Sequence, residues 1–310
     1  MRALRGLSRL VSGCGAALVC AFSLVLFLSC GADRPAGPTT PDSFRSPGNA
    51  TLVGAGDIAL CGKWLEGAQA TARLLDAIPG TIFTTGDNVQ DRGTAEEFEA
   101  CFGPTWGRHR GRIRPSPGNH DYLTASAGPY FDYFGANAGP AGLGYYSYDL
   151  GAWHIVSLNT NLDAAANSQQ IAWLRADLEA NRDRLCTAAY WHQPLMSSGT
   201  TGPTKAVREL WNVLYEFGAE IVMNGHEHMY DRYAPQDPSG KLDPVRGIRQ
   251  FIVGTGGAYV YGAARHQPNS EVLASVFGVL KLTLRPDGYD WEFISVPGAN
   301  FSDRGSATCH

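Results

Sequence analysis

Five times in this chain an apolar run stops and a short polar cluster follows at once. The clusters are Gly56-Asp57, Gly86-Asp87-Asn88, Gly118-Asn119-His120-Asp121, Trp191-His192-Gln193-Pro194 and Asn224-Gly225-His226-Glu227-His228. Short apolar runs bounded in this way read as buried strands. In open α/β sheets ligands bind in the crevice beyond the carboxyl ends of the strands. Glycine beside such a cluster lets the backbone turn sharply and approach an ion or a phosphate closely. A chain built on this repeated layout is constrained to an α/β fold with its active site on loops at strand ends.

The pattern between the clusters supports this. Strands are predicted over 52–58, 81–85, 187–191 and 220–223, a hairpin over 145–150 and 153–158, and helices over 64–78 and 205–217. Ser168 is a good N-cap for a helix through Trp173, Leu174 and Leu178. The last third changes character, with strands over 250–253, 278–284 and 289–296 and no long helix between them. The sum is one α/β domain over 50–310, two packed mixed β-sheets flanked by helices. With 44% hydrophobic residues, the chain can bury the core that such a domain needs.

Residues 1–29 read as a signal peptide. Arg2, Arg5 and Arg9 precede an apolar run from Ala16 to Leu28, which is short for a membrane span. Leu28-Ser29-Cys30-Gly31 resembles a bacterial lipobox with cleavage before Cys30, although Phe27 stands where Leu is commoner; the alternative is a plain secretory peptide cut nearby. Either places the protein outside the cytoplasm, anchored to the membrane by lipid or secreted. Residues 30–49, rich in Pro, Gly, Ser and Thr, read as a flexible tether. Net charge is -4 and becomes more negative without the leader, which argues against a nucleic-acid scaffold as partner. Four cysteines follow the leader: Cys61, Cys101, Cys186 and Cys309. In an exported chain they suggest disulfides, with three pairings possible. The favoured one joins Cys61 to Cys101 and Cys186 to Cys309, tying the tail to a core strand.

Carboxylate, imidazole and amide oxygen together suit borderline metals such as Zn, Mn or Fe. Singly the clusters say little, since a lone Gly-Asp is usually a turn and His192 alone could be a core histidine. His226 and His228, flanking one position, can point to two adjacent ions. Other residues carry less. His154, in a strand after Trp153, reads as structural. His109 and Arg108, Arg110, Arg112 and Arg114 read as a solvated turn before a steering patch for anions. The aromatic run Tyr122, Tyr130, Phe131, Tyr133 and Phe134 is at least as suited to packing as to walling a cleft. Gly254-Thr255-Gly256-Gly257 lies far from any helix start and is not a nucleotide loop. A serine esterase is disfavoured by the lack of a Gly-x-Ser-x-Gly elbow.

Taken in order, the five clusters resemble the calcineurin-like metallophosphoesterases, and within them the purple acid phosphatase branch. The resemblance runs from Leu52 to the β-rich end, and it implies that superfamily's fold and a pair of close metal ions bridged by an aspartate and a hydroxide or water. Carried over by motif, Asp87 would bridge. Asn119, His192 and His226 would complete the second metal, and Asp57 and His228 would serve the first. His120 would lie beside the substrate phosphate, oriented by Asp121. Two positions depart from the pattern. Where the purple branch has a tyrosine, whose charge transfer to ferric iron gives the colour, this chain has Gln90. Where most other members supply a histidine two residues after the first aspartate, it has Ala59. The loop after His192 also lacks the family's histidine and offers Thr200 and Thr201.

These departures predict two divalent transition metal ions (Zn, Mn or Fe), with Gln90 as a neutral ligand to an incompletely occupied first site, and no purple colour. The implied activity is hydrolysis of phosphoric esters of small molecules by metal-activated water, acting first on monoesters as an acid phosphatase does, with His120 and Asp121 catalytic. Two alternatives stand beside it: a phosphodiesterase acting on nucleotides or lipid head groups, and a catalytically impaired, lipid-anchored binding protein on the same fold.

Overall fold

Alternation along the strands decides which side of the fold each residue serves. In β1 (Ala50–Ala55) Val53 and Ala55 point to one core and Leu52 to another; in β2 (Thr81–Thr85) Ile82 and Phe83 divide in the same way. A strand buried on both faces needs a layer on each, and the chain supplies two sheets between helices. The computed structural model describes residues 48–310. The signal peptide and lipobox expectations, with nearly all of the tether, lie outside the described residues.

The first sheet has the order β13-β12-β11-β1-β2-β3. Here β1, β2 and β3 (Ile113–Ser116) run parallel, with helix α1 (Leu65–Ala77) crossing from β1 to β2. Strands β11 (Gly278–Arg285), β12 (Gly288–Ser295) and β13 (Ser302–Thr308) extend it as an antiparallel meander. The second sheet has the order β10-β8-β9-β7-β6-β5-β4. Its parallel centre is β5 (Trp153–Ser157), β6 (Cys186–Trp191), β7 (Ile221–Asn224) and β9 (Arg249–Val253). Strands β4 (Tyr146–Leu150), β8 (Tyr230–Tyr233) and β10 (Ser270–Ala274) flank it antiparallel.

Leu52, Phe83, Leu280, Leu282 and Phe293 of the first sheet pack against Ile155, Ala188, Tyr190, Met223 and Phe251 of the second. Helix α1, the one-turn helix α2 (Ala95–Glu97) and α3 (Gly128–Phe134) lie on the β1–β3 side; α4 (Gln169–Ala180) and α5 (Arg208–Glu216) cover the outer face of the second sheet. The Ser168 hydroxyl accepts a hydrogen bond from the Ile171 amide at 3.3 Å, the N-cap expected from sequence. The aromatic run after the third cluster packs in the core: Tyr130 and Phe134 are buried with Phe98 and Phe102.

Both disulfides have the favoured pairing, Cys61–Cys101 and Cys186–Cys309. Strands β3, β8, β10 and β13 were not anticipated. Arg114 and Pro115 interrupt the apolar pattern of β3, and β13 (sequence SDRGSAT) is an edge strand with no apolar alternation, held by its pairing to β12. No helix of the described residues is long and apolar enough to cross a membrane.

Candidate metal centre

The five clusters converge where the parallel strands of both sheets end. Asp57 follows β1, Asp87 follows β2, and Asn119 and His120 follow β3; His192 follows β6, and His226 and His228 follow β7. The backbones after β1 and β2 stay zipped beyond the strands. Asp57 N–H donates to Gly86 O at 3.0 Å, Ile58 N–H to Asp87 O at 2.9 Å and Ala59 N–H to Asn88 O at 3.2 Å. That ladder fixes the two aspartates side by side. Asp57, Asp87 and His226 all adopt left-handed backbone, with φ of 56°, 48° and 71°. Non-glycine residues seldom hold such angles unless the surroundings impose them, and they cluster at functional sites. Gly118 allows the close approach of the third loop, because a Cβ there would lie 2.1 Å from Asp87 Oδ1.

Three of the histidines are aimed by backbone carbonyls. The Nδ1 atoms of His192, His228 and His120 donate to Thr85 O at 2.8 Å, Tyr259 O at 3.1 Å and Asp91 O at 3.1 Å. Each ring therefore turns Nε2 to the site, as ligand histidines generally do. His192 Nε2 lies 3.1 Å from Asp87 Oδ2, 3.0 Å from Asn119 Oδ1 and 3.2 Å from His226 Nδ1. His228 Nε2 lies 3.1 Å from Asp57 Oδ1. The donors thus form two adjoining groups, one around His192 and one around Asp57 and His228. Ligand atoms of Asp57, Asp87 and His192 fall within 4.8 Å of one another.

His120 presents its Nε2 3.9 Å from Asp87 Oδ2, with its side chain 31% exposed. The expectation that Asp121 orients it is corrected by the structure. The Asp121 carboxylate accepts from Gly118 N–H at 2.8 Å and from the Asn88 amide nitrogens, and no hydrogen bond joins it to the His120 ring; the Asp91 carbonyl holds that ring instead. Asp121 braces the loops that carry Asp87 and Asn119.

The buried carboxylates and imidazoles of the site shift one another. Burial alone would raise the Asp87 carboxyl, but His192 and His120 outweigh it and hold it below the ordinary carboxylate value. Burial would lower His192, yet Asp87 carries it up to about 9. Burial and the neighbouring His192 charge press His226 down to about 4. Asp121 is pushed up to about 7 by burial and then by Asp87.

Gln90 Oε1 is buried and accepts no hydrogen bond, and Asp57 Oδ1 faces only His228 Nε2, at 3.1 Å, on a ring whose Nδ1 proton already goes to the Tyr259 carbonyl. Unpartnered buried acceptors are costly in a native protein and call for a cation or a donor. The carboxylate oxygens, imidazole nitrogens and amide oxygen of the converging clusters fit borderline divalent metals. The main chain of Gln90 is tied to the same place, its N–H donating to Ala59 O at 2.7 Å.

Sequence reasoning missed three residues. Glu227, between the two histidines, is fully buried, and its carboxylate accepts from Ser197 Oγ, Gly202 N, Thr201 N and the Tyr261 hydroxyl. Tyr259 and Tyr261 follow Gly254-Thr255-Gly256-Gly257, which leaves β9 at the same end and packs on the Asp57 loop through Gly256 N–H to Gly56 O at 2.8 Å. The signal was there, because an apolar strand ending in glycine is the layout of the other clusters. His154 is structural, paired with Asp177 and Asp149. Arg108 bonds Asp76 and Arg112 caps carbonyls of residues 75, 78 and 80, as befits a surface turn.

The calcineurin-like phosphoesterase family model matches residues 51–230. Purple acid phosphatase 15 of Arabidopsis thaliana is 27% identical over 256 residues, covering 71% of this chain and 46% of that protein. Purple acid phosphatase 18 of the same plant is 31% identical over 118 residues, covering 36% of this chain and 26% of that protein. The structure of a purple acid phosphatase isolated from yellow lupin (Lupinus luteus) seeds shares the fold, with a TM-score of 0.72 at 18% identity over 84% of this chain and 54% of that one. The chain spans about half or less of the length of these curated relatives.

Proposed function

The chain belongs to the calcineurin-like phosphoesterase family, with its likenesses in the purple acid phosphatase branch, and on that premise we propose that it is a metal-dependent phosphomonoesterase of acid phosphatase type. The convergence of Asp57, Asp87, Asn119, His192, His226 and His228 at the strand ends carries this reading. Asp57, Asp87 and His228, with Gln90, would hold one ion; Asp87, Asn119, His192 and His226 would hold the other, with Asp87 shared. Two divalent ions there would acidify a water and offset the charge of the phosphoryl oxygens.

The protein's own groups do the rest. His120, held at Nδ1 by a carbonyl, offers Nε2 to the open side of the site, where it can hydrogen-bond a phosphoryl oxygen and hand a proton to the leaving alkoxide. Asp121 acts on the reaction through the loops it braces. The substrate is a phosphorylated small molecule. The two disulfides support work in an oxidising compartment, and we place the protein outside the cytoplasm, anchored through lipid on Cys30 or secreted.

The test is hydrolysis of nitrophenyl phosphate and of its bis-ester by the full-length chain incubated with Zn, Mn or Fe. Turnover that favours the monoester supports the proposal. A bis-ester preference makes the protein a diesterase, and binding of vanadate without turnover of either ester makes it a binding protein.

A further inference from the structure

Among the exposed large apolar side chains, Trp64, Leu123 and Tyr259 stand on loops at the ligand-bearing end of the sheets, after β1, β3 and β9. The ammonium of Lys63 already sits 5.0 Å above the Trp64 ring. Tyr259 differs from the other two in that its ring packs on a residue of the metal centre, 4.2 Å from the His228 ring between centroids and tilted by 49°.

This tyrosine is held firmly at both ends. Ala258 N–H donates to Asp57 O at 2.9 Å, the Tyr259 carbonyl accepts from His228 Nδ1, and Tyr261 N–H donates to His228 O at 3.1 Å. The backbone is thus stapled to two loops of the candidate centre, yet the residue is 43% exposed. Its hydroxyl has no protein partner among the described residues, whereas the Tyr261 hydroxyl is committed to Glu227 at 2.8 Å. A fixed, exposed aromatic face beside an anion-binding site meets whatever is esterified to the bound phosphate.

We propose that Tyr259 is a stacking platform for the ester group, so that the site selects phosphate esters of aromatic alcohols over aliphatic ones. The proposal rests on the phosphoester reading for the position of the phosphate. Ring-on-ring contact of this kind is worth about fivefold to tenfold in affinity.

The test separates binding from turnover. Phenylphosphonate and methylphosphonate, neither of which is hydrolysed, are titrated calorimetrically into the metal-incubated full-length chain and its Tyr259→Ala and Tyr259→Phe variants. The expected result is phenylphosphonate bound about fivefold or more tighter by the wild type and by Tyr259→Phe, with the preference falling within about twofold in Tyr259→Ala. Equal affinity of the wild type for both ligands, including no detectable binding of either, overturns the proposal. So does an equal loss of both in Tyr259→Ala, which would make Tyr259 only a support for His228. Loss of the preference in a chain that hydrolyses no ester leaves the platform standing and sinks the hydrolase reading instead.

Discussion

The Tyr261 hydroxyl donates to Glu227 Oε2 at 2.8 Å, and through that carboxylate the loop after β9 is joined to residues 197–202 beyond His192. Glu227 thus gathers four donors behind His226 and His228. Glu227→Gln would place an NH2 group where only acceptors are wanted, at about 1–3 kcal/mol for the stranded donors. The melting temperature should fall by about 2–5 °C in thermal unfolding followed by circular dichroism. An unchanged melting temperature would mean that the loop is held by other contacts.

Asp87 and His120 should separate metal binding from turnover. On the proposed assignment Asp87 is shared by both ions, so Asp87→Ala should empty the site and abolish hydrolysis together, read by elemental analysis and by assay. The His120 ring lies 3.9 Å from Asp87 Oδ2, and the His120 main-chain N–H, which alanine keeps, donates to Asp87 Oδ1 at 2.8 Å. His120→Ala should keep the wild-type metal content and lose about 10²–10⁴-fold in kcat. Full turnover in that variant would remove His120 from the reaction.

The convergence of the five clusters is legible in the sequence, because each follows a buried strand and strand ends in such sheets are brought together. What stayed hidden depends on contacts made across the fold. The family resemblance implies that Asp121 orients His120, but its carboxylate turns back to Asn88 and Gly118. Glu227 reads as a spacer between two histidines until the loop at 197–202 folds over it. Strand β13 has no pattern of its own and exists by pairing with β12.

Gln90 provides a test that needs no substrate. Its Oε1 is buried without a donor, so in the metal-free protein that atom is a burden. Gln90→Met keeps similar volume without the amide, and the metal-free melting temperature should hold or rise slightly. The stabilisation gained on adding Zn or Mn should shrink, because one ligand to the ion is gone. An undiminished metal-induced shift would show that Gln90 plays no part in holding the ion.

The Cys186–Cys309 bond ties the end of the chain to β6 across a sequence separation of 123 residues. Cutting so long a loop should destabilise the fold by about 2–5 kcal/mol. Cys309→Ser is expected to lower the denaturation midpoint by that margin without changing metal content, since the bond begins at the end of β6 away from His192. A loss of metal in this variant would show that the tail supports the centre.

His154 supplies a pH dependence well apart from the metal centre. Its buried ring lies between Asp177, 2.7 Å from Nε2, and Asp149, 3.2 Å from Nδ1. Burial works against its charge, but the two carboxylates prevail and raise its pKa above the ordinary value. A histidine raised in the folded state stabilises fully below its unfolded pKa of about 6.5, and that contribution disappears as pH climbs through the higher folded value. His154→Gln cannot be charged and so lacks this contribution. The wild type should therefore melt above the variant near pH 6, with the gap closing on the alkaline side. A gap that stays constant from about pH 6 into the alkaline range would show that His154 acts by packing alone.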